Sequence, residues 1–256
     1  MKKLILFLIL LLLLSSCNKT STNTFYDIIK DYPHNPKKLS EYEKIYNETK
    51  NIIYSINKVN FPLFLTPNTT NYLAFQTNNI LFINTNYRLS KTYLPKNLVP
   101  IKNVDFIKRE NQTMMIDQET LNAYILLFND SILNNLELTV FSAYRSYEYQ
   151  ETLYNKDNNS FVAAPGASEH QSGLAIDIST LSKGLTNHFD NTLESIWLES
   201  NAHKYGFIKR YPKHKENITG YPYEPWHYRY VGIDVAKIIY ENNLTLEEYF
   251  YQYLIL

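Results

Sequence analysis

The sequence predicts a chain that mixes amphipathic helices with short strands, and three observations carry that expectation. A capping-type Ser40-Glu41-Tyr42-Glu43 precedes apolar residues at helical spacing, Asp117 precedes a second such run, and residues 136–141 and 174–179 alternate side-chain character as strands do. At 256 residues the chain can build one good-sized core with an N-terminal extension, or two small domains. One compact domain with an extension is the simpler organisation.

Met1 to Ser16 has the form of an export signal: Lys2 and Lys3, an apolar run from Leu4 to Leu14, then Ser15-Ser16. As a helix, the apolar run reaches only about 16 Å, short of a hydrocarbon core of roughly 30 Å, so it is not a spanning anchor. Leu14-Ser15-Ser16-Cys17 resembles a bacterial lipobox, which implies that Cys17 is acylated and becomes the first mature residue. Residues 17–38, with the polar stretch Asn18 to Thr24, then read as a tether from membrane to protein. Cys17 is the only cysteine, which excludes an intramolecular disulfide and removes thiolate chemistry from the mature fold. Without Lys2 and Lys3, 23 basic side chains face 25 acidic ones, a net charge of −2 that carries no nucleic-acid footprint.

Tyr42, Ile45, Tyr46, Thr49, Ile52, Ile53 and Ile56 predict one amphipathic helix after the Ser40 capping box. Between Pro62 and Val104, short apolar runs broken by Asn and Pro predict short strands and loops, so residues 39–103 read as a helix with accessory strands and 104–256 as the main domain. Asp117 caps a helix with the stripe Leu121, Ile125, Phe128 and Ile132, ended by Asn134-Asn135. The strand from Leu136 runs into Ser142-Ala143-Tyr144-Arg145-Ser146, where Ser146 is placed to cap the next helix. Ala175, Asp177 and Ser179 fall on one strand face and Leu174, Ile176 and Ile178 on the other. A helix around Leu193, Ile196 and Trp197 ends at Gly206, before a strand at 207–211, and Thr245-Leu246-Glu247-Glu248 opens a short aromatic C-terminal helix.

The chemistry concentrates in residues 168–177 and in Glu224-Pro225-Trp226-His227. His170, Asp177 and His227 form a candidate set of three metal ligands, with Gly173 allowing the tight turn that lets His170 and Asp177 converge. Two imidazoles and one carboxylate suit zinc and leave other divalent ions open, non-haem iron included, although nothing points to an oxygenase. Pro225 restricts Glu224 to extended geometry three residues before His227, where it can take a proton from a metal-bound water. Arg145, at a strand-to-helix corner, is the candidate for substrate or transition-state charge. Ser168 and Gln150 are candidate hydrogen-bonding partners of the substrate, whereas His34, His188, His203 and His214 have no partner at a convincing spacing.

Serine 142 to Ser146, the S-x-H-x-x-G-x-A-x-D run from Ser168 to Asp177, and Glu224 to His227 together resemble the VanY-type D-alanyl-D-alanine carboxypeptidases. These are zinc peptidases of the superfamily that also holds lysostaphin-type enzymes and the hedgehog signalling domain. The resemblance covers roughly the last 140 residues, more weakly back to about Ile80. It implies an α+β fold whose small antiparallel sheet cradles Zn2+, flanked by helices and preceded by the N-terminal helical extension. It carries the zinc ligands to His170, Asp177 and His227, the catalytic glutamate to Glu224 and the substrate arginine to Arg145. The implied reaction removes the terminal D-alanine from peptidoglycan stem peptides; the lipobox would anchor the enzyme, read as a monomer, on the outer face of the bacterial cell membrane. Two alternatives stand beside it: an L,D-carboxypeptidase that trims tetrapeptide stems, and a non-catalytic wall-binding lipoprotein stabilised by zinc.

Overall fold

The computed structural model describes residues 25–30, 34–60, 72–77, 80–107, 113–156 and 162–255; the leader, the lipobox and Cys17 lie outside the described residues. The chain divides into two compact units, Met1–Asn60 and Phe61–Leu256. Among the described residues, no helix is long and apolar enough to cross a membrane.

In the first unit, helix α1 (Phe25–Ile29), helix α2 (Leu39–Thr49) and helix α3 (Ile52–Asn60) enclose Ile29, Tyr42, Ile56 and Val59. Three expectations change here. Part of the stretch read as tether is helical, because Phe25 and Ile29 supply apolar surface for Tyr42 and its neighbours. The single helix over 42–56 is two, broken at Lys50, whose φ of 52° is left-handed and whose N–H caps Tyr46. Ser40 does not cap: Lys38 holds that position without a side-chain bond, behind a 3-10 turn at Pro36–Lys38 capped by Asn35.

Among the described residues of the second unit, short strands come first, β1 (Tyr72–Leu73), β2 (Phe75–Thr77), β3 (Ile80–Phe82), β4 (Tyr87–Arg88), β5 (Leu98–Pro100) and β6 (Met115–Asp117), in three two-stranded pairs. Helix α4 (Gln118–Leu133) follows, and the Asp117 carboxylate accepts from the N–H groups of Glu119 and Thr120 as a cap should. Its buried stripe is centred on Leu121, Tyr124, Leu127 and Phe128, and Ile132 points to solvent. The expected stripe was right in period and rotated in phase, because Tyr124 packs edge-on to Phe207 of the main sheet.

That sheet contains β7 (Thr139–Ser142), β8 (Ala175–Ser179), β9 (Phe207–Lys209) and β10 (His227–Tyr230), antiparallel throughout in the order β7-β8-β10-β9. One face carries Val140, Ile176, Ile178, Phe207 and Tyr228 into the core beneath α4. Because strand side chains alternate, Asp177, His227 and Arg229 point the other way. Ile208 joins a second cluster with Phe82, Leu246 and Phe250, which brings β3 and the C-terminal segment to that side.

Helix α5 (Tyr147–Lys156) starts with Ser146 accepting from the Tyr149 N–H. Helix α6 (Leu193–Asn201) gives way to a 3-10 turn, Ala202–Tyr205, before Gly206 at φ 85°. Leu193 and Ile196 are exposed, and α6 buries Leu198 instead. After α7 (Glu216–Thr219) and α8 (Ile233–Glu241), α9 (Leu246–Tyr249) opens with a complete Thr245–Glu248 capping box.

Gly173 joins the first metal-ligand candidate to β8 at φ 74°, and a Cβ there would lie 3.0 Å from Leu98 Cδ2 and 3.2 Å from the Asp117 nitrogen. Gly173→Ala is therefore expected to cost about 1–3 kcal/mol of stability. An unchanged denaturation midpoint would count against this account of the turn.

Candidate metal centre

The site forms where three local structures meet. A register shift in β7 between Val140 and Ser142 leads into Ala143, whose carbonyl accepts from His170 Nδ1 at 2.6 Å. His170 stands on a 3-10 turn, Glu169–Ser172, that ends at Gly173. Asp177 lies in the middle of β8, directly opposite His227, the first residue of β10.

This arrangement settles what each nitrogen can do. With Nδ1 donating to a carbonyl, His170 presents Nε2 as a lone pair; that atom lies 3.2 Å from Asp177 Oδ2 and is buried without a hydrogen-bond partner. His227 turns Nδ1 toward Asp177 Oδ1 at 3.0 Å, and its Nε2 faces Glu169 Oε2 at 3.5 Å. His170, Asp177 and His227 each offer one ligand atom within 4.8 Å of the others, all three are buried, and among the described residues no fourth His, Cys, Asp or Glu completes the group. An orphaned imidazole nitrogen, a second imidazole and an ionised carboxylate fit zinc in a site that keeps a position open.

Glu224 Oε2 lies 3.7 Å from His227 Nδ1, and the Glu224 backbone is held by its N–H bond to the Tyr211 carbonyl. Burial pushes the Glu224 carboxyl up to about 7, with His227 and Arg145 pulling against it. Asp177 goes the other way: burial opposes its ionisation, but the charge and the Nδ1–H bond of His227 hold it well below the usual carboxylate range. Burial and the nearby Arg145 press His170 down to about 4, which keeps it neutral. For His227 burial lowers the pKa, yet the bonds to Asp177 and Glu169 outweigh it and raise it to about 9.

These residues line a cleft of about 170 Å³, with Arg145, Ser168, Leu185, Tyr211, Tyr221 and Trp226 on its walls. Arg145 Nε is buried without a partner, and its backbone N–H donates to the His170 carbonyl at 3.2 Å. Ser168 lines the cleft, and its side chain does not cap the turn that follows. Gln150 does not line it; its amide donates to the Ala163 carbonyl at 2.6 Å and braces the wall from behind.

With this geometry in hand, relatives become informative. The sequence profile of the family described as VanY, D-alanyl-D-alanine carboxypeptidase, matches residues 113–233. YodJ of Bacillus subtilis is 44% identical over 184 residues, covering 68% of this chain and 67% of that one. The chain belongs to the VanY-type carboxypeptidase family. The solved structure of the LdcB LD-carboxypeptidase, described as revealing the basis of peptidoglycan recognition, superposes on this carboxypeptidase with a TM-score of 0.63 at 40% identity, covering 70% of this chain and 93% of the other. VanYB in complex with D-alanine-D-alanine gives a TM-score of 0.53 at 32% identity, with coverages of 67% and 97%.

Sequence reasoning passed over four buried charges. Glu169 Oε1 accepts from Arg210 Nε and Arg229 Nη1, both at 2.8 Å, and Arg210 also donates to both oxygens of Glu247. Arg229 carried a usable signal, since it lies two residues beyond His227 on the same strand face. Arg210, Glu169 and Glu247 carried none, because charges distant in sequence announce no pairing.

The bond to Asp177 Oδ1 calls for a proton on His227 Nδ1, the atom that His227 would offer to a cation shared with His170 and Asp177. A cation held there would displace that proton, so affinity for added zinc is expected to rise by about tenfold per pH unit through neutrality and level off above about 9. Calorimetry at pH 7 in buffers of different ionisation enthalpy should count about one proton released; none released would contradict the assigned protonation.

Proposed function

We propose that this carboxypeptidase is zinc-dependent and removes the C-terminal D-alanine from peptidoglycan stem peptides. The observation that carries the reading is the convergence of His170, Asp177 and His227 with Glu224 beside them at the wall of a cleft. His170, Asp177 and His227 would hold the ion, which when bound supplies a water of lowered pKa and polarises the scissile carbonyl. Glu224 takes the proton from the attacking water and returns it to the departing amine. Its burial suits that exchange, because a carboxyl pushed up to about 7 is a stronger base toward the proton of the water than an ordinary glutamate and matches the operating pH. Arg145 contributes a cation with an unspent donor for the substrate carboxylate or the developing oxyanion, and Ser168 offers a hydroxyl beside it.

Two cleavage specificities fit this chemistry. The D,D-carboxypeptidase reading is supported by the family description and by VanYB with its bound D-alanine-D-alanine. The L,D-carboxypeptidase reading is supported by the LdcB likeness, which is higher in both identity and TM-score than that to VanYB. A non-catalytic wall-binding role is disfavoured by Glu224 and Arg145, since a purely structural ion needs neither a proton shuttle nor an anion partner. Acylation at Cys17 would hold the enzyme, as a monomer, at the outer membrane face beside the wall.

Glu224→Gln is expected to keep its zinc and lose about 100- to 10,000-fold in turnover. Hydrolysis near the wild-type rate would remove Glu224 from the proton path. Release of D-alanine from defined muropeptides should stop with a chelator and return with zinc. The same assay separates the specificities: cleavage confined to pentapeptide stems supports the D,D reading, and cleavage confined to tetrapeptide stems the L,D reading.

A further inference from the structure

The buried quartet Glu169, Arg210, Arg229 and Glu247 has no part in the proton path, and all four side chains are fully buried. Taking ions out of water is expensive, and replacing a buried ion pair with packed apolar groups is often neutral or stabilising. Stability alone is therefore a poor reason for so many buried charges. Their geometry supplies a better one. Both guanidiniums bind the same oxygen of Glu169, Oε1, which leaves Oε2 turned to His227 Nε2 at 3.5 Å. Arg229 is locked in turn by the Tyr230 and Leu81 carbonyls, and Arg210 by the Ile83 carbonyl and Glu247. Glu169 also precedes His170 on one 3-10 turn, so the turn that presents one imidazole directly also faces the back of the other.

We propose that Glu169 is a positioning residue for the metal site: its Oε2, aimed by Arg210 and Arg229, holds the Nε2 proton of His227 and so commits Nδ1 to the cation. An imidazole has two nitrogens, and a ring flip would offer the wrong one. At 3.5 Å the contact is long for a hydrogen bond, but a carboxylate charge far from water favours the N–H orientation beyond bonding distance. Ala143 performs the same task for His170 with a neutral carbonyl, at 2.6 Å on Nδ1. The two histidines are thus fixed through opposite nitrogens, and outer partners of this kind are worth about 10- to 100-fold in metal affinity.

The inference rests on the metal-site reading above, and the test separates the two. Zinc affinity of the full chain is measured by competition with a chromophoric chelator, for wild type, Glu169→Gln and Glu247→Gln. Glu247→Gln perturbs the same ionic cluster but leaves Glu169 beside His227. Glu169→Gln is expected to bind zinc about 10- to 100-fold more weakly, with Glu247→Gln within a few-fold of wild type. Equal losses in both variants would make the quartet a plain structural staple and overturn the proposal, as would an unchanged Glu169→Gln. Should Glu169→Gln fail to fold, 15N NMR of wild-type protein with zinc decides: His227 metallated at Nδ1 and protonated at Nε2 supports the assignment, and metallation at Nε2 refutes it. Failure of the wild-type protein to bind zinc would sink the metal-site reading itself.

Discussion

The pairing of β8 with β10 is the constraint on which the rest depends. It sets Asp177 across from His227 as directly opposed residues, so a carboxylate and an imidazole from segments 50 residues apart meet at bonding distance. The neighbouring pairing with β7 brings Ser142, and then Ala143, to the same level. A slip of one residue would turn Asp177 into the core and Ile176 or Ile178 into the cleft, because alternate side chains of a strand face opposite ways. The apolar face of the sheet forbids that slip: Ile176, Ile178 and Tyr228 are fully buried beneath α4. The hydrophobic core therefore sets the register, and the register sets the site.

Burial then gives chemically similar groups different tasks. Asp177, Glu169 and Glu224 are all carboxylates within one small volume. Asp177 and Glu169 stay ionised against the pull of burial because cationic partners reach them, whereas Glu224, less well paired, is pushed up to about 7. Environments that drive like groups apart in pKa are how a site separates a ligand from a proton carrier. The two histidines divide in the same manner, one neutral and carbonyl-bonded, the other drawn between two acids.

Short-range signals in the chain mostly hold, the Ser40 box being the exception because Lys38 takes the cap position there. The caps at Asp117, Ser146 and Thr245 use side-chain-to-backbone bonds within three residues, and all three form. Gly173 and Gly206 adopt the left-handed backbone that only a residue without a Cβ takes freely. The remaining differences arise where a partner distant in sequence decides. The phase of the α4 stripe follows Phe207, and the break at Lys50 and the helix at Phe25–Ile29 follow packing around Tyr42. Periodicity reports that a face exists without saying which neighbour will claim it.

By itself, the sequence determined the chemical inventory: which imidazoles and carboxylates were available, the turn at Gly173 that lets two of them converge, and the family that carries them. Only the tertiary structure decided which nitrogen of each histidine turns toward Asp177, that Gln150 stands behind the cleft wall, and that Glu169 is tied to Arg210 and Arg229 and, through Arg210, to Glu247. The reason is physical. Residue type and short-range spacing are properties of the chain, but the orientation of a ring or the pairing of a buried charge is settled by atoms that arrive from elsewhere in it, and only after water has been excluded.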